Sequence, residues 1–132
     1  MTDTKEPDCG CNRSAALRLI FSCSGAADVG EVADRAARKL AKNGAGKMFC
    51  LAGIGGRVSG IMKSTEAAQA ILAIDGCIHN CAKKCLEQAG FTNFQHLQIT
   101  EMGFTKGQSP ATDEAVSKIV EVAAASFYGK TG

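Results

Sequence analysis

Four short apolar runs recur along the chain, with amphipathic segments between them. Each run has the length of a strand, and the third is apolar at every position, which is typical of a strand buried on both faces. The alternation of strand and helix patterns predicts βαβ units and a mainly parallel sheet. The predicted strands are 16–22 (ALRLIFS), 47–51 (KMFCL), 70–74 (AILAI) and 94–100 (FQHLQIT).

The segments between the runs carry helix signals. Asp28 and Glu31 form a capping-box pair, and the apolar stripe that follows stops at Asn43-Gly44. We expect further helices over 58–67 and 78–89 and from Ser109-Pro110 onward, and a glycine-rich loop at 53–56. The expected fold class is therefore α/β: a single-domain three-layer sandwich with a mainly parallel sheet of about four strands and helices on both faces.

Length and composition predict one folded domain behind a flexible tail. A chain of 132 residues can bury a core without disulfide bonds. Residues 1–14 are too polar to offset the entropy lost on ordering, and they contain Cys9-Gly10-Cys11. We therefore expect a flexible Cys-x-Cys tail over 1–14 and a globular domain over 15–132.

Charge and hydropathy argue against nucleic-acid and membrane partners. The net charge is +2, and the 15 Lys and Arg residues are scattered along the chain. No apolar run approaches the ~18 residues of a membrane-spanning helix, and residues 1–13 lack the apolar segment of a signal peptide. The cysteines number 7, an odd count that cannot pair completely within the chain. We therefore expect a cytoplasmic protein whose cysteines serve metal binding or thiol chemistry.

Four cysteines fall at the ends of the predicted strands or in the helix that follows one of them. The carboxyl ends of neighbouring parallel strands share one edge of a sheet, so Cys23, Cys50 and Cys77 converge there if their strands are neighbours. Cys77 and Cys81 are four residues apart, which places them on one face of the predicted helix. Four thiolates favour zinc, with an Fe–S cluster or Cu(I) as alternatives.

The other three cysteines have different predicted roles. Cys85 is about 12 Å along the predicted helix axis from Cys77, too far to share an ion with it, and we expect it in the core. Cys9 and Cys11 suit soft-metal capture or a resolving disulfide, and they are equally well explained as exposed thiols without a role.

The segments around the four strand-end cysteines resemble, in the same order, the pattern of the DGC-domain family, named for its central Asp-Gly-Cys. The resemblance rests on CSG at 23–25, CLAGIG at 50–55, DGC at 75–77 and CAKK at 81–84, and it covers almost the whole chain beyond the tail. Members of that family are described as zinc-binding through four cysteines. The resemblance therefore implies a DGC-like metal-binding domain over 15–132, with Zn²⁺ held by Cys23, Cys50, Cys77 and Cys81.

Two other functions stay open on the sequence. A thiol-based redox enzyme or sensor would use Cys77 and Cys81, with a tail cysteine as another resolving thiol. A carrier of an Fe–S cluster or a soft metal would use the same thiols. Apart from the metal ion, the sequence indicates no particular binding partner.

The sequence offers no recognisable hydrolytic site. The position six residues after Cys23 is Val29, where a phosphatase loop would need Arg, and neither His79 nor His96 has a Ser or Cys partner at recognisable spacing. Asp75 is best explained as the turn former and cap of the helix that follows it. We therefore expect no catalytic residue, and a binding protein more readily than an enzyme.

Overall fold

The computed structural model describes residues 17–131. The predicted tail, with Cys9 and Cys11, lies outside them. The centre of the fold is a sheet of four parallel strands in the order β2-β1-β3-β4. The strands are β1 (Arg18–Ser22), β2 (Lys47–Met48), β3 (Ala70–Asp75) and β4 (Gln95–Gln98).

Helices cover both faces of this sheet. They are α1 (Asp28–Lys42), α2 (Leu51–Gly55), α3 (Ser59–Glu66), α4 (Cys81–Gln88) and α5 (Asp113–Thr131), with a 3₁₀ turn at Ile99–Met102.

The core is divided into two apolar clusters by the alternation of side chains along the strands. Ile20 and Leu72 point to the cluster formed with α1 and α5. Leu19 and Phe21 point to the cluster that Ile54 of α2 and Leu86 of α4 complete, with α3 packed against it. The predicted α/β sandwich with a four-stranded parallel sheet is thus confirmed.

The second strand is shorter than the predicted 47–51. Phe49 still donates its N–H to the Ile20 carbonyl at 2.9 Å, but the chain then leaves the sheet and Cys50 becomes the N-cap of α2. The predicted loop at 53–56 is therefore wrong, because most of it is helical. A Cβ at Gly53 would overlap the side chain of Ile61 in α3, so glycine lets these two helices pack without a shift of that side chain.

Two helices begin later than predicted. α4 starts at Cys81 rather than at Ile78, because Asn80 takes a left-handed conformation (φ 52°) that ends the loop from β3. α5 starts at Asp113 rather than near Ser109, because Thr112 Oγ1 accepts the N–H of Ala115 and so supplies the first-turn cap. Within residues 17–131, no helix combines the length and the apolar character needed to cross a membrane.

Candidate functional site

A cleft of about 710 Å³ opens at the carboxyl edge of the sheet, and four cysteines line it. The loops after β1 and β2 supply two of them, and α4 supplies the other two. We name it the cysteine cleft and define it by Cys23, Cys50, Cys81 and Cys85. Its remaining lining residues are Ser22, Ser24, Asp34, Arg38, Met48, Phe49, Leu51, Ala52 and Gly55.

Cys23 is the first residue beyond β1 and is held by backbone contacts. Its own N–H bonds to the Ile74 carbonyl at 3.1 Å. Burial raises the pKa of the Cys23 thiol, while hydrogen bonds from the backbone of Gly25 and Gly76 act in the opposite direction. Cys23 is therefore mainly a neutral thiol at pH 7, and a bound cation would have to displace its proton.

Cys50 reaches the cleft from the other side, as the N-cap of α2. Its carbonyl accepts the N–H groups of Gly53 (3.1 Å) and Ile54 (3.4 Å), so its backbone is fixed. Its side chain makes no capping hydrogen bond and is exposed. The thiol can therefore turn about its single χ1 bond toward the cleft.

Cys81 and Cys85 are four residues apart on α4 and share one helical face. Cys81 is exposed in the first turn. Cys85 is half-buried: it packs against the apolar cluster below α4, as expected for a core residue, and it also lines the cleft. Burial raises the pKa of the Cys85 thiol, and the nearby charge of Arg57 partly offsets this effect.

Cys77 does not line the cysteine cleft. It packs toward the cluster of α1 and α5, and its Sγ is 3.8 Å from Lys106 Nζ. The prediction that Cys77 and Cys81 share a helical face is wrong, because Cys77 precedes the left-handed Asn80 and only Cys81 belongs to α4.

Three of the four cysteines predicted as ligands therefore meet at one cleft, and the fourth does not line it. Within the described part of the chain, no three His, Cys, Asp or Glu side chains are grouped closely enough to hold a metal ion. The four-cysteine zinc site stays a prediction.

Comparison with known proteins places the chain in a family. The family model described as "DGC domain" matches residues 19–123. The chain belongs to the DGC domain family. It is also similar to the "Anaerobic and virulence modulator AnvM" of Pseudomonas aeruginosa strain PAO1, with 32% identity over 108 residues that cover 80% of this chain and 82% of that protein. No solved structure matches the chain.

In this DGC domain, the first two residues of the Asp75-Gly76-Cys77 motif have clear structural roles. The buried carboxylate of Asp75 accepts the N–H groups of Ala82 (2.7 Å) and Lys83 (3.0 Å) and so caps α4, as predicted. At Gly76, a Cβ would lie 2.7 Å from the backbone carbon of Val29, so only glycine permits β3 to end this close to α1. The motif therefore positions the first turn of the helix that carries Cys81.

The sequence did not indicate that His96 belongs to this arrangement. Its Nε2 lies 2.8 Å from Oδ2 of Asp75, and its side chain is 20% exposed. Ala73 pairs with His96 in the sheet, which brings Asp75 and His96 to the same face of neighbouring strands. Only the strand order could have predicted this contact, because the two residues are far apart in sequence.

Proposed function

We propose that this DGC domain binds a soft metal ion, zinc in the first place, through thiolates of the cysteine cleft. One observation carries the proposal: Cys23, Cys50 and Cys81 come from three separate segments and line one cleft. Thiolates favour Zn²⁺, Cu(I) and Fe–S clusters over Mg²⁺ or Ca²⁺. The chemistry of these donors therefore fits the group that the family resemblance implies.

Three thiols from separate segments support a structural or regulatory metal. An ion bound between the ends of two strands and the first turn of α4 would hold these segments together, and its binding energy would add to the folding energy. A fourth thiolate, as the family resemblance implies, would close the coordination sphere of the zinc ion and leave no open position for substrate. We therefore propose a binding protein and assign no catalytic residue.

The relative from Pseudomonas aeruginosa is named as an anaerobic and virulence modulator. We propose that the present domain also has a regulatory role. A thiolate site suits such a role because oxidation of its cysteines releases the ion. A thiol redox enzyme that uses Cys77 and Cys81 is less well supported, because Cys81 lines the cysteine cleft and Cys77 does not.

Elemental analysis of the protein tests the proposal. The starting variant is Cys9→Ser/Cys11→Ser, which removes metal binding by the Cys-x-Cys segment and is purified without a histidine tag under reducing conditions. We expect this variant to retain zinc and the further change Cys81→Ser to abolish retention. Unchanged zinc content after Cys81→Ser would contradict the proposal. Iron with visible absorption, or copper, in place of zinc would overturn the choice of zinc and keep the assignment of a soft-metal site.

A further inference from the structure

A lysine contacts the cysteine of the Asp-Gly-Cys motif. The Nζ atom of Lys106 lies 3.8 Å from Sγ of Cys77, within hydrogen-bonding reach of the large sulfur atom. We infer that Lys106 is a positioning residue of the metal site: it donates a hydrogen bond to the Cys77 sulfur and offsets part of the thiolate charge. The inference rests on the proposed function, with Cys77 as the fourth thiolate that the family resemblance implies.

A tight turn presents Lys106. The Thr105 carbonyl accepts the N–H of Gln108 at 2.9 Å, so residues 105–108 form a hydrogen-bonded β-turn. The third residue of this turn is Gly107, whose φ of 88° is the conformation that a type II turn requires at that position. Lys106 is therefore the second residue, at the tip of the turn.

The turn is attached firmly to the rest of the fold. The carboxylate of Asp28, at the start of α1, accepts the N–H groups of Gly107 (2.9 Å) and Ser109 (2.8 Å). The Ser109 hydroxyl in turn accepts the N–H of Thr105 at 2.8 Å. Phe104, just before the turn, packs against the apolar cluster of α1 and α5. The backbone on both sides of the lysine is therefore fixed, which limits the positions that its ammonium can reach.

The ammonium of Lys106 meets the sulfur without a competing anion. Cys77 is half-buried against the apolar cluster of α1 and α5, whereas Lys106 is exposed and reaches the sulfur from the solvent side. Within residues 17–131, no carboxylate oxygen lies within 4 Å of this ammonium. The positive charge is therefore not neutralised by an ion pair there and is directed at the thiol.

A cation at this position suits a thiolate site. Four thiolates around Zn²⁺ leave a net charge of −2, and a neighbouring ammonium lowers the electrostatic energy of the occupied site. A hydrogen bond to an ionised acceptor is also stronger than one to a neutral acceptor. Lys106 lies outside the four segments that carry the family resemblance, so the structure rather than the motif assigns it to the site.

Three variants of the Cys9→Ser/Cys11→Ser protein test the inference. Lys106→Ala removes the donor and its charge, and Lys106→Arg keeps both. Lys42→Ala removes the same charge from the last turn of α1, at the opposite end of that helix from Asp28. Zinc affinity is measured by competition with a chromophoric chelator at low and at high salt. We expect Lys106→Ala to bind zinc about three- to tenfold more weakly than the parent at low salt, and the ratio to shrink at high salt because salt screens an exposed charge. The other two variants should keep the parent affinity.

Cobalt(II) in place of zinc supplies a spectroscopic measurement. A hydrogen bond to a thiolate lowers the energy of the sulfur lone pairs and so raises the energy of thiolate-to-cobalt charge transfer. We expect the charge-transfer band to move to longer wavelength in Lys106→Ala and to stay at the parent position in Lys106→Arg and Lys42→Ala. A loss of fold stability alone would not move this band.

The outcomes separate this inference from the proposed function. Parent zinc affinity and an unmoved cobalt band in Lys106→Ala overturn the inference, and so does an equal loss of affinity in Lys42→Ala. Parent zinc affinity in a folded Cys77→Ser variant also overturns it, because Lys106 would then contact a thiol outside the site. A parent protein that binds neither zinc nor cobalt overturns the proposed function itself.

Discussion

The Nε2 atom of His96 lies 2.8 Å from Oδ2 of Asp75, and this contact ties β4 to the end of β3 and the first turn of α4. Asp75 is fully buried, and its carboxylate accepts two backbone N–H groups of α4 in addition to the His96 contact. The helix that presents Cys81 and Cys85 is therefore anchored to the centre of the sheet.

Replacing Asp75 with Asn should destabilise the fold. The amide offers one acceptor oxygen where the carboxylate offers two, and its NH₂ group would face a backbone donor or His96. We expect a loss of about 2–4 kcal/mol in the free energy of unfolding, measured in urea with a chelator present so that metal binding does not contribute. His96→Gln is the control, since it removes one contact and leaves the cap of α4 intact. A smaller loss for Asp75→Asn than for His96→Gln would contradict this role for Asp75.

The close approach of β3 to α1 predicts a strong effect at Gly76. A Cβ there would meet the backbone of Val29 and Gly30 at 2.7–2.8 Å, and backbone cannot move aside as a flexible side chain can. We expect Gly76→Ala to lower the unfolding free energy by about 1–3 kcal/mol or more. Gly60→Ala is the matched control, because a Cβ at that helical position meets no atom within 4 Å. Equal stability of the two variants would show that β3 does not approach α1 this closely at Gly76.

Asp28 should make the stability depend on pH. Its carboxylate accepts the N–H groups of Gly107 (2.9 Å) and Ser109 (2.8 Å), and these bonds lower its pKa. A carboxyl group with a lowered folded-state pKa stabilises the fold above its unfolded value of about 3.9, and this stabilisation is lost as pH falls through the folded value.

The variant Asp28→Asn should therefore be less stable than the parent at pH 7, and the difference should shrink as the pH falls below about 4. Unfolding in urea at several pH values measures the difference in unfolding free energy between the parent and this variant. Glu31→Gln is the comparison, since Glu31 forms an exposed ion pair with Arg35. A difference between the parent and Asp28→Asn that grows toward acid pH would refute the assigned role.

The sequence predicted the sheet well because its signals are local. The runs at 16–22 and 70–74 are apolar enough to read as buried strands, and both form central strands. The sequence also predicted that these strands pair in parallel, because a helix pattern lies between each strand and the next. The family could also be recognised, because its motifs are short stretches of sequence around the cysteines.

The candidate site was harder to predict because it depends on where helices begin. Periodicity runs through Asn80 without a break, and nothing in the spacing shows that this residue turns left-handed. That single conformation separates Cys77 from the helix and leaves Cys85 as the helical partner of Cys81. The helix that contains Gly53 and Gly55 was equally hidden, because glycine is a poor helix former.

Removing the metal should lower thermal stability. Zinc that binds only the folded protein stabilises it in proportion to the logarithm of its concentration over Kd. We expect a chelator to lower the Tm of the Cys9→Ser/Cys11→Ser protein and to leave the Tm of its Cys81→Ser derivative unchanged. Differential scanning calorimetry measures both. An equal fall in the two proteins would mean that the chelator acts elsewhere.

The zinc content of the Cys9→Ser/Cys11→Ser protein tests the central claim most directly. The protein is expressed without a tag, purified under reducing conditions and analysed for zinc, iron and copper against its amino-acid content. One zinc per chain is the predicted result. A folded protein that carries none of these metals, and that shows no thiolate-to-cobalt charge transfer when cobalt(II) is added, would contradict the account.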